Sequence, residues 1–79
     1  MKDYYDIAKQ FADKEGLDVV QYCTERNGYH YFYLNYTVRP RYMGHPHIIK
    51  ISPIGKIQWV RDFHERYWAY NLRVKEPGQ

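Results

Sequence analysis

The side chains best suited to making or breaking bonds are one thiol, Cys23, one serine, Ser52, and four imidazoles, His30, His45, His47 and His64. Nucleophilic catalysis needs a thiol or hydroxyl beside a histidine, with a third group to orient the base. Cys23 falls inside a strand pattern on its core side, where a cysteine is an inert small hydrophobe. Ser52 opens a turn. Structural zinc takes about four ligands at characteristic spacings. The closest imidazole pair, His45-Pro46-His47, has a proline that restricts how its rings converge, and no second pair accompanies it. His64 lies on the apolar side of a helix pattern and reads as a half-buried structural histidine. No glycine-rich phosphate cradle and no carboxylate pair in an apolar stretch occurs. The expectation is therefore a non-enzymatic protein with no catalytic residue, cofactor or metal.

The chemistry left is that of contact. From Arg26 to Arg61 the chain holds six basic residues and no acid, so the overall charge of +3 divides into −3 over residues 1–25 and +6 over residues 26–79. Such a split points to a polarised surface and an anionic partner. Ten tyrosines and two tryptophans supply aromatic area, the residue type concentrated in interface cores. The candidate partner-binding residues are Arg26, Tyr29, Tyr31, Tyr33, Arg39, Arg41, Tyr42, Met43, Lys50 and Lys56. A protein partner or self-association is favoured, because +3 is modest for a dedicated nucleic-acid binder. The alternative is RNA or single-stranded DNA on the same surface, lysine and arginine meeting phosphate while bases stack on tyrosine.

The positioning elements follow from periodicity. Tyr4, Ile7, Ala8, Phe11 and Ala12 form one apolar stripe, predicting a helix over residues 3–15 with Asp3 as N-cap and Gly16 as its left-handed end. Strands are predicted over 18–26 and 29–38 about a two-residue type I′ turn at Asn27-Gly28. That turn sets Arg26, Thr24 and Tyr22 opposite Tyr29, Tyr31 and Tyr33, and Cys23 opposite Phe32. Tyr22, Tyr29, Tyr31 and Tyr33 then share one face, read as a binding platform or as a face beneath a helix. Residues 39–47 form a Pro- and Gly-broken loop. Strands over 47–52 and 56–60 flank a bulged turn at Ser52-Pro53-Ile54-Gly55, pairing Ile51 with Ile57 and Ile49 with Trp59. A helix over 61–74 follows, with Asp62 as N-cap three residues before Glu65 and a stripe of Phe63, His64, Tyr67, Trp68, Asn71 and Leu72. Residues 75–79 are a tail.

These elements make one α+β domain of 79 residues in the order α-β-β-β-β-α, an antiparallel sheet of two hairpins with both helices packed mainly on the Phe32, Leu34, Ile49, Ile51, Ile57 and Trp59 face. No apolar run reaches the roughly 18 to 20 residues of a spanning helix. One cysteine and an acidic N-terminus without an apolar leader predict a cytoplasmic protein.

Overall fold

A computed structural model describes residues 4–35 and 47–73. It contains α1 (Tyr4–Lys14), β1 (Val19–Arg26), β2 (Tyr29–Asn35), β3 (His47–Ile51), β4 (Ile57–Trp59) and α2 (Phe63–Asn71). The predicted order α-β-β-β-β-α is the one observed. The strands form a single antiparallel sheet in sequence order, β1-β2-β3-β4. Asp3, residues 36–38 of the second predicted strand, most of the loop 39–47 and the tail lie outside the described residues.

Local chemistry sets the turns. Asn27 and Gly28 have φ of +53° and +81°, the left-handed pair a type I′ turn requires. Gly55 at φ +88° completes the bulged turn, in which its N–H donates to Ser52 O and the Lys56 N–H donates to Ser52 Oγ. Gly16 ends α1 at φ +80°. The Leu17 N–H reaches back to Ala12 O at 2.8 Å and that of Gly16 to Asp13 O at 3.2 Å, the paired bonds of a Schellman cap.

Three expectations are corrected. The first concerns the helices, which cover opposite faces of the sheet. α1 packs Ala8 and Ala12 with Leu17, Phe32, Leu34, Ile49 and Ile51. On the reverse side Ala69 of α2 packs with Cys23, Tyr31, Ile48 and Val60. The central strands explain this: β2 and β3 bury side chains on both faces, Phe32, Leu34, Ile49 and Ile51 on one and Tyr31 and Ile48 on the other, so each face needs its own cover.

The second correction concerns register. The pairs Arg26–Tyr29, Glu25–His30 and Thr24–Tyr31 are those the turn dictates, but a β-bulge between Tyr22 and Thr24 then shifts the ladder by one. Tyr22 consequently lies opposite Phe32, its ring 5.4 Å away in an edge-to-face contact on the α1 side. Cys23, expected there, instead joins the α2 side. One extra residue on one strand exchanges the faces of everything beyond it.

The third concerns α2. Its buried side is built on Ala69 with Trp68 alongside, while Phe63, His64, Asn71 and Leu72 of the predicted stripe are exposed. His64 is thus not half-buried. Trp59 pairs with Ile49 as expected, yet stays 38% exposed on the short edge strand, beside Phe11 and His47.

Candidate interaction surface

The odd-numbered residues of β2 run beneath α2. Tyr31 is buried at 2% exposure, whereas Tyr29 and Tyr33 are half-buried at either side of it. A buried phenol requires a partner for its hydroxyl. Tyr31 donates to Glu65 Oε2 at 2.5 Å. The same oxygen accepts from Lys50 Nζ at 3.3 Å and lies 3.6 Å from Arg26 Nη2. Arg26 Nη2 also approaches the Tyr31 hydroxyl at 3.5 Å. Two cations, one carboxylate and one phenol therefore meet where α2 crosses the sheet.

Each cation also rests on an aromatic ring. The Arg26 guanidinium lies 4.1 Å from the ring centre of Trp68, and the Lys50 ammonium 5.2 Å from that of Tyr29. Glu65 is oriented by its own helix start, for its N–H donates to Asp62 Oδ2 at 2.8 Å in the N-cap geometry read from the sequence. Burial pushes the Tyr31 phenol up from its ordinary range, and the bond to Glu65 adds to that, against an opposing pull from Arg26. The phenol is held neutral as a donor.

A second aromatic–cationic contact forms at the other end of α2. Tyr70 sits 5.1 Å from Tyr33, and the Arg73 guanidinium lies 3.9 Å from the Tyr70 ring centre and 5.6 Å from that of Tyr33. Asn35 Nδ2 donates to the Tyr33 hydroxyl at 2.7 Å.

Of the ten residues read from the sequence as partner-binding, the structure gathers Arg26, Tyr29, Tyr31 and Lys50 around Glu65. Tyr33 stands at the Arg73 end, and Lys56 is exposed in the turn between β3 and β4. Tyr31 is withdrawn under α2 and has almost no surface to offer a partner. Arg39, Arg41, Tyr42 and Met43 lie outside the described residues. The reading missed Glu65 as a hub and Arg73 as a stacked cation. A signal for Glu65 did exist: a row of tyrosines facing a helix needs acceptors, and Glu65 is the one acid inside that helix.

Cys23 is buried, and burial lifts its thiol to about 12, with Arg73 pulling the other way. Such a thiol does no nucleophilic chemistry near neutrality. Among the described residues no three His, Cys, Asp or Glu side chains gather where they could hold an ion. No helix among them is long and apolar enough to cross a membrane. Compared with models of known protein families, with curated proteins and with solved structures, the chain matches none of them.

Proposed function

We propose that this chain is a small cytoplasmic, non-enzymatic interaction module that binds a protein partner through its basic, tyrosine-rich side. The observation that carries this reading is the seating of Arg26 and Lys50. Both flank the single carboxylate of Glu65, and each is held against a ring, so positive charge exceeds negative where aromatic surface approaches solvent. Cations fixed in this way lose little freedom when an acidic group meets them. Lys56, Arg39 and Arg41 extend the same acid-free stretch. Complementary charge of this kind raises the encounter rate and selects the partner.

A second reading, RNA or single-stranded DNA on the same surface, is favoured by the guanidinium stacked on Trp68. One experiment separates the two. The full chain is used to capture partners from its native extract, with and without nuclease, beside a variant carrying Arg39→Glu, Arg41→Glu and Lys56→Glu. The expected result is nuclease-resistant capture, lost in the variant and most strongly at low salt, with an unchanged circular dichroism spectrum. Capture abolished by nuclease establishes the nucleic-acid reading. Nuclease-resistant capture that survives charge reversal places the working surface elsewhere.

A further inference from the structure

One stripe of α2, exposed at Phe63 and half-buried at Tyr67 and Tyr70, carries a row of rings that the sequence stripe did not isolate. Phe63, Tyr67 and Tyr70 recur at i, i+4 and i+7, with ring centres 4.9 Å and 6.4 Å apart. Tyr33 continues the row onto β2, 5.1 Å from Tyr70. Arg66, at i+3 from Phe63, falls on the same side of the helix, and Arg73, just beyond its C-cap, lies over the Tyr70 ring. Phe63 is 52% exposed, half of a large apolar ring left in water.

Among the described residues, charge on this stripe has one sign. The two acids near it there are committed elsewhere: Asp62 accepts from the Glu65 N–H as N-cap, and Glu65 turns inward to Tyr31 and Lys50. Arg66 Nε donates to Val60 O at 2.7 Å and Arg73 Nη1 to Tyr70 O at 2.9 Å, so both guanidinium groups are anchored by one N–H. A guanidinium has five N–H groups, and those on its outer edge suit a carboxylate in bidentate fashion. Stacked on Tyr70, Arg73 is already ordered for that contact.

Resting on the reading of the chain as an interaction module, we propose that this stripe docks an acidic peptide segment bearing one aliphatic or aromatic anchor. The anchor covers Phe63 and Tyr67, and flanking carboxylates pair with Arg73 and Arg66. A second copy of the chain fits poorly, because two such stripes bring arginines together with no acid on either among the described residues. Nucleic acid fits less well than peptide. Base stacking wants an open ring face, whereas Arg73 covers that of Tyr70 and its neighbours meet it edge-on at 77° and 64°.

The test uses the full chain and a short fluorescein-labelled peptide of glutamates around one leucine. Two comparison probes accompany it: the same peptide with glycine for leucine, and an oligothymidylate of equal charge. The expected outcome is saturable binding of the leucine peptide, weaker for the glycine form, with amide shifts concentrated between residues 63 and 73. Arg73→Gln should weaken it about tenfold or more, the scale for losing a charged hydrogen-bonding partner. Phe63→Ser, at a half-exposed position, should weaken it too and carries the test should Arg73→Gln fail to fold. Unchanged affinity in Phe63→Ser overturns the proposal. Shifts gathered at Arg26 and Lys50 with the stripe unmoved also overturn it, while leaving the interaction-module reading intact. Tighter binding of the oligothymidylate than of the peptide overturns both.

Discussion

Glu65 joins α2 to three strands of the sheet, since through it α2 holds a phenol from β2, an ammonium from β3 and a guanidinium from β1. Its capping-box spacing to Asp62 was legible because that is a local rule, but its role as an acceptor was not, because burial of Tyr31 depends on which face α2 covers. The alkaline limb of stability should report this site. Tyr31 and Cys23 both have folded-state pKa values raised by burial. Each therefore stabilises the fold fully below its ordinary pKa, and that contribution is lost as pH rises toward the folded value. For Cys23 the window runs from 9.0 to about 12, and for Tyr31 it begins at 10.0. The urea midpoint is expected to be level near neutrality and to fall across that window. Tyr31→Phe should lower the unfolding free energy at neutral pH by about 1 kcal/mol, the usual net worth of a hydrogen bond, bring the midpoint down with it and flatten part of the alkaline fall. A midpoint in Tyr31→Phe that matches the parent at every pH would deny the hydroxyl a structural part.

Among the elements, the first hairpin shows how far sequence reasoning reaches. Asn27-Gly28 specified its own turn, and the three nearest pairs followed. Beyond Thr24 the bulge exchanged Tyr22 with Cys23, and no short-range rule announces it, since either side chain is acceptable on either face. In α2 the difficulty was different. Phe63, Tyr67, Trp68 and Tyr70 surround the helix with rings, so apolar periodicity cannot select a face. Ala69 selects it, because the smallest side chain marks the line of closest approach. The turn itself is doubly constrained. Gly28 has positive φ, and a Cβ placed there would lie 2.9 Å from Pro53 Cγ in the second hairpin turn. Pro53 O in turn accepts from the Tyr4 hydroxyl at 3.0 Å, so three elements close around this point. Gly28→Val is expected to cost more than the 1–2 kcal/mol that left-handed backbone alone carries, because the contact must also open. Thermal melting measures it, and a melting temperature equal to the parent's would contradict the packing of the two turns.

At the scale of the molecule, the sheet is the middle of three layers, with α1 on one side and α2 on the other. Placing both helices on one face left the tyrosine row undecided between platform and core, and the structure makes it a second core with cationic ends. Core depth also separates two aromatic residues that looked equivalent. Phe32, at 1% exposure, should cost about 3–5 kcal/mol on truncation to alanine. Trp59 retains over a third of its surface in water and should cost clearly less. Equal losses in denaturant titrations of the two variants would mean that Trp59 is buried after all. The bulge in β1 has a consequence outside the single molecule as well. β1 is the longer of the two border strands and, among the described residues, pairs only with β2, so its other margin there presents backbone donors and acceptors that a neighbouring chain could extend. The offset at Cys23 interrupts that margin midway, where a regular run of eight residues would invite chain-to-chain sheet growth. The residue that upset the register thus also works against fibril formation.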